Sequence, residues 1–252
     1  MSGMLIKGDL RLAYVTDQGQ VIGYLNKVFN GTTCEIVPGQ PEVKERKSKG
    51  RVDYGQTLDA VSVPSGYTLN VSTDSMTKEV LGMALQANVE DVNLGGSFTD
   101  EPVTVHNNLW VRVGPHLSIS SQNLVVTSTD GATTFAIGVD YEIDHRNGMI
   151  MALPTGNIPD GSAVHVSGET AVLSGYKLAT PGQNARVRVL FDGTNYANGE
   201  RVMLTVFNIK LSPSSGTNLL NDEFLAADFT GTPLPVPGKD LPFEFLNLGK
   251  EL

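Results

Sequence analysis

At 252 residues the chain has room for one large β domain or two small ones with a proper core. Its 27 glycines and 13 prolines, with 18% charged residues, suit short strands joined by turns and exclude a helical bundle. A net charge of −9 argues against binding nucleic acid by phosphate neutralisation, and the single cysteine, Cys34, excludes an internal disulfide.

The first twelve positions carry Lys7, Asp9 and Arg11 without an apolar stretch, so no signal peptide is expected. No run approaches the roughly 18–20 apolar residues of a membrane span, and a soluble protein of a reducing cytoplasm is expected. Residues 10–15 and 20–25 read as a hairpin around Thr16 to Gly19, followed by a strand near 32–37 that stops at Pro38-Gly39. Glu42 to Arg51 is then a charged stretch read as a long polar loop. It holds five cations (Lys44, Arg46, Lys47, Lys49, Arg51) against two anions (Glu42, Glu45), a local +3 that leaves −12 for the rest. Such a run is a solvated loop or an arm that docks on an acidic neighbour; without aromatics it makes a poor nucleic-acid footprint.

Val61, Val63, Leu69 and Val71 alternate as strands do. From Asp74, the expected N-cap, the period turns helical, with Met76, Val80, Met83, Ala84 and Ala87 on one stripe of a helix over 74–88. That stripe either covers the protein's own sheet or meets a neighbour. Residues 93–97, with Gly95-Gly96, read as a linker that 99–102 extends. Strands follow at 109–113 and 124–128, then a hairpin of 134–143 and 149–153 turned at His145 to Gly148, and a strand at 163–166. Residues 176–184 look loop-like. The longest pair is 186–191 with 201–211, the second apolar on both faces in its first half, with 192–200 an exposed turn. Residues 224–230 read as the last strand, before a surface tail with Pro233, Pro235, Pro237 and Pro242.

Little of this carries chemistry. Alternation would put Asp140, Glu142 and Asp144 on one strand face, where they repel unless solvated, paired with Arg146 or holding a divalent cation. A calcium loop needs Gly where His145 stands. The same cluster is what a glycan-active enzyme would have to use. His106, His116, His145 and His165 lack zinc-like spacing, Cys34 reads as a small apolar residue, and Trp110 as core. No nucleophile elbow, Walker loop or dinucleotide motif occurs. No catalytic residue, cofactor or metal is therefore expected.

Three separated regions carry a likeness. They are E-R-x-S-x-G-x-x-x-Y-G-Q-x-L-D-x-V (Glu45 to Val61) with the D-x-x-x-x-E-V-L-x-M-A-L that starts at Asp74; T-F-A-I-G-V-D-Y-E-I-D-H-R-N-G-M-I (Thr134 to Ile150); and V-F-N-I-K-L-S-P with F-L-A-A-D-F-T-G-T-P-L toward the end. Together they resemble the major tail tube proteins of long-tailed (siphovirus-like) bacteriophages. The resemblance implies a mainly β fold: a tail-tube-type β-sandwich or barrel protomer with one short α-helix and an inserted β-rich segment. Residues 1–98 would be its first part, with a stacking arm at 38–58 and the helix at 74–88. Residues 99–178 would be the insert, and 179–252 the second part with its Pro-rich tail.

It implies a non-enzymatic virion protein, made in the host cytoplasm, that assembles with itself into homohexameric rings stacked head-to-tail and joins other tail proteins. DNA would pass through the lumen without specific binding. The arm, mobile in the free subunit, would join rings through Lys44, Glu45, Arg46, Lys47, Lys49 and Arg51. The helix would meet the neighbouring subunit through Met76, Val80, Met83 and Ala84. A β-sandwich binding or decoration module of a virion is the alternative.

Overall fold

The structure, a computed structural model, describes residues 3–25, 28–182, 186–220 and 222–250. In chain order the elements are β1 (Ile6–Val15), β2 (Val21–Tyr24), β3 (Gly31–Pro38), β4 (Glu42–Lys47), β5 (Thr57–Val63), β6 (Tyr67–Thr73) and α1 (Lys78–Ala84). There follow β7 (Ala87–Thr104), β8 (Val111–Arg112), β9 (Val125–Ser128), β10 (Thr134–Phe135), β11 (Tyr141–Asp144), β12 (Met149–Ala152) and β13 (Ala163–Pro181). The last are β14 (Arg186–Asn195), β15 (Glu200–Lys210), β16 (Ser212–Pro213), β17 (Ala227–Gly231) and β18 (Phe243–Asn247). The protein is mainly β with a single short helix among the described residues, too short and polar to cross a membrane.

The chain forms two compact units, Met1–Val89 with Leu178–Leu252, and Glu90–Lys177. The first is a sandwich of a five-stranded sheet (β18-β15-β14-β1-β2) and a four-stranded sheet (β16-β17-β6-β3). Alternation explains it: Leu10 and Leu12 on β1, Val187 and Val189 on β14, and Leu204 and Val206 on β15 turn inward. They meet Leu69 and Val71 of β6 and Ala227 and Phe229 of β17 in one core. Tyr67 and Phe243 add an edge-to-face contact, ring centroids 5.0 Å apart.

α1 is shorter than its periodicity suggests. β6 runs on to Thr73, and the Asp74 carboxylate accepts from the Asn30 side-chain amide at 2.8 and 2.9 Å, so it is not the N-cap. Thr77 caps instead, its hydroxyl accepting from Val80 N at 3.3 Å. Gln86, at φ 51, ends the helix, and Ala87 already belongs to β7.

The tail after Gly231 covers the outer face of β15. Leu234 N donates to Asn208 O at 2.8 Å, and Lys239 Nζ lies 4.7 Å from the Phe207 ring centre, which Arg188 also approaches at 5.5 Å. Burial on both faces of β15 therefore falls at Val206, Phe207, Asn208 and Ile209, in its second half rather than its first. The tail also holds β18, paired with β15 through Val206↔Phe243. β17 begins at Ala227, leaving Phe224 in the preceding loop instead of a strand, and β14 takes in the first four residues of the expected turn, ending at Asn195.

The second unit packs the sheet β10-β9-β13-β7 with β11-β12-β8 around Val105, Val113, Val126, Ile150, Val164 and Val166. The expected linker near 93–102 is part of an unbroken β7. Gly95, at φ 140, bends that strand without ending it, and a Cβ there would come within 2.8 Å of Val172 Cα on β13. β13 likewise runs through the expected loop to Pro181; residues 183 and 184 of that loop lie outside the described residues. The β11–β12 hairpin turns where Asn147-Gly148 places it, but β10 joins the other sheet. Trp110 is not core; it is 46% exposed.

Candidate assembly surface

The charged stretch is a hairpin, not a loop. β4 and β5 pair from Glu42↔Val63 to Lys47↔Thr57 and form a two-stranded sheet of their own. Charge suits a strand here because both faces are wet: every residue of the two strands is exposed. Residues two apart share a face, so Lys44 pairs with Glu42 at 3.9 Å and Lys47 with Glu45 at 3.8 Å. Among the described residues Arg46, Lys49 and Arg51 have no ion-pair partner in the chain. The tip is compact: Ser48 N donates to Gln56 O at 2.8 Å, Gly55 N to Ser48 O at 2.9 Å, and the buried Ser48 hydroxyl accepts from Gly50 N at 3.0 Å.

The hairpin also exposes apolar side chains that charge-reading alone misses. Val43, Leu58, Val61 and Val63 are exposed on its strands, and Val52 and Tyr54 at its tip are 97% and 79% exposed. Alternation in T-L-D-A-V-S-V was the available signal. A two-stranded ribbon with no third strand or packed face is marginal by itself in water, so this one suits a partner surface.

The helix stripe works largely inside its own unit. Val80 is fully buried and Ala84 nearly so in the sandwich core, with Met76 and Met83 half-buried against it. Of these four residues only the two methionines keep an outer side open to solvent. Sheet edges offer more. β2 is an edge whose four residues are all exposed, and β18, at the opposite edge, leaves Phe245 and Leu246 exposed.

Asp140, Glu142 and Asp144 do not line one face. Asp140 is buried ahead of β11 and ties two loops, accepting from Ala136 N, Asn157 N and Asn157 Nδ2, each at 2.8 Å. Those donors, led by the Ala136 amide, hold its carboxyl below the ordinary 3.8. Glu142 points to solvent, and Asp144 accepts from Asn147 N and Nδ2, which lower its carboxyl as well. A depressed carboxyl contributes stability above its unfolded value, lost as pH falls through the folded one. Asp140→Asn should therefore lower the melting temperature at pH 7 by several degrees, with the gap to wild type closing below about pH 4. Paired melting curves at pH 7 and pH 3 check this; a gap independent of pH would contradict it.

Among the described residues no group of three or more His, Cys, Asp and Glu is placed to hold a metal ion. The histidines sit apart: His106 beside Asp160 at 3.4 Å, His116 stacked on Phe98 and 3.7 Å from Glu101, and His145 Nδ1 within 3.0 Å of Ile119 O. Cys34, on β3, is half-buried, and burial pushes its thiol up to about 11. It lines a cleft of about 530 Å³ at one end of the sandwich.

A family model described as "Protein of unknown function UCP028589" matches residues 4–241. The chain is also 31% identical over 150 residues to the tail sheath protein of Burkholderia phage BcepMu, a match over 59% of this chain and 28% of that protein. The chain thus spans well under two thirds of that curated relative's length.

Proposed function

We propose that this chain, which belongs to the family described as protein of unknown function UCP028589, is a non-enzymatic structural subunit of a bacteriophage tail that polymerises with itself. The observation that carries the reading is the β4–β5 hairpin: cationic in an acidic chain, apolar in part, and wet on both faces. Its receptor is an acidic surface of the next copy, since everything outside residues 42–51 sums to −12. The tail sheath protein of phage BcepMu, as a relative, supports placement in a virion tail beside other tail proteins; the subunit would be made in the host cytoplasm before it assembles.

The finer reading is the tail tube. β2 and β18, open edges of one sheet, join between neighbours into a continuous barrel, and six copies close a ring that stacks through the hairpins. A hexamer carries a formal charge of −54, six times −9, which favours DNA passage without retention. Lys44, Glu45, Arg46, Lys47, Lys49 and Arg51 form the inter-ring contact, and Met76 and Met83 border the lateral one.

A second reading, a subunit of the sheath layer, is favoured by the BcepMu match. Size-exclusion chromatography with negative-stain imaging of the purified chain tests the proposal. Stacked rings or hollow tubes are expected, and compact monomers or trimers at high concentration would favour a decoration module instead. Antibody labelling of intact tails separates the layers, because a sheath subunit is labelled along the shaft and an enclosed tube is not.

A further inference from the structure

The cleft at the end of the sandwich is walled by a cross-strand ladder. Leu10 stands opposite Phe191, Phe191 opposite Leu204, and Leu204 opposite Phe245, while Gly8 adds no side chain to the lining. Across from them lie residues 30–34 at the start of β3. The cleft is apolar at its base and open enough to leave Phe245 half exposed, while Lys7 borders it with its ammonium directed to the other face of β1, 5.9 Å from the Tyr196 ring centre.

The same unit carries an unpartnered knob of matching chemistry. In the loop between β16 and β17, Leu220 and Phe224 are 93% and 92% exposed, Leu219 is exposed beside them, and Asp222 and Glu223 lie between the two large side chains. Single exposed apolar residues are ordinary; three within six positions, flanking two carboxylates, are not.

Register relates knob to cleft. Ala227, at the end of the loop, stands opposite Thr73, and Thr73 stands opposite Gly31, in the cleft lining. Both features therefore sit at one end of the sheet β16-β17-β6-β3, the knob at the β16–β17 edge and the cleft at the β3 edge. A knob on one edge and its receptacle on the other is a heterologous pair, which closes into a ring or propagates when copies meet side by side.

We propose that the loop before β17 of one copy seats Phe224, with Leu220, in the cleft of the next copy around the ring. The contact rests on the self-assembly reading above and supplies it with a lateral interface. It buries an aromatic anchor in a preformed apolar cleft, the arrangement that concentrates binding energy at protein interfaces.

Cys34 provides the test, because it lines the cleft and the chain has no other cysteine. Phe224→Cys should give, with a short bis-maleimide under assembling conditions, a ladder of dimers, trimers and higher species on denaturing gels. Wild type, and Phe224→Cys combined with Cys34→Ser, carry one thiol each and stop at dimers. Phe224→Asp should raise the concentration needed for assembly at least about tenfold while leaving the melting temperature unchanged. If wild type forms tubes but Phe224→Cys yields no ladder and Phe224→Asp assembles normally, this contact is overturned and self-assembly stands. If wild type forms neither tubes nor rings and Phe224→Cys gives no ladder, both fall.

Discussion

Reversing Arg46, Lys47, Lys49 and Arg51 to Glu should leave a folded, soluble protein that no longer polymerises. Each reversal moves the charge by two, so residues 42–51 go from +3 to −5 and the chain from −9 to −17. An arm that matched an acidic neighbour would then repel it, and like charges facing one another at an interface cost several kcal/mol. At tenfold per 1.4 kcal/mol, the concentration for assembly should rise by at least about a hundredfold. Folding is spared because β4, which bears Arg46 and Lys47, buries nothing and pairs only with β5, and Lys49 and Arg51 are exposed at the tip. Unchanged melting with lost assembly is the expected pair of results. Wild-type assembly should also weaken with added salt, since exposed charges are screened beyond about 8 Å at physiological ionic strength. Tubes of normal length from the reversed variant would remove the hairpin charge from the mechanism.

Val80→Asp should unfold the first unit. Val80 has no exposed surface and belongs to the same apolar cluster as Leu69, Val71 and Phe229, so a carboxylate there is taken out of water. Burying one there costs roughly 4 kcal/mol or more, a large share of the ~5–15 kcal/mol that holds a typical domain together. A melting temperature depressed in the free monomer is the expected result. Normal monomer stability with defective assembly would mean that the stripe faces a neighbour instead. Met83→Asp separates the two roles from the other side, since Met83 is only half-buried and should cost the monomer less.

What the sequence showed well was one-dimensional order. The alternation in residues 201–211 marked β15, the Asn147-Gly148 pair marked the β11–β12 turn, and the change of period after Thr73 marked the helix. What it hid depended on a second layer. T-L-D-A-V-S-V reads as a strand with one buried face, yet both faces of β5 are wet because no sheet packs on it. Gly95-Gly96 reads as a linker, yet β7 runs through it because β13 lies close against the bare backbone. β18 was masked by the prolines before it, although residues 243–247 contain none. Asp140 looked like one of three carboxylates on a strand, and its three amide donors come from loops that no periodicity predicts. Phe224 reads as a strand residue, yet it lies in the loop before β17, and its exposure is what gives the proposed lateral contact its anchor.

Hydrogen exchange of the backbone amides in residues 42–63, compared between free chain and assembled tubes, tests the central claim most directly. Fast exchange is expected outside the β4–β5 ladder and at its frayed ends in the free chain, with strong protection of the whole hairpin once rings stack. Exchange in the hairpin that is the same in both states, while other edges become protected, would contradict it.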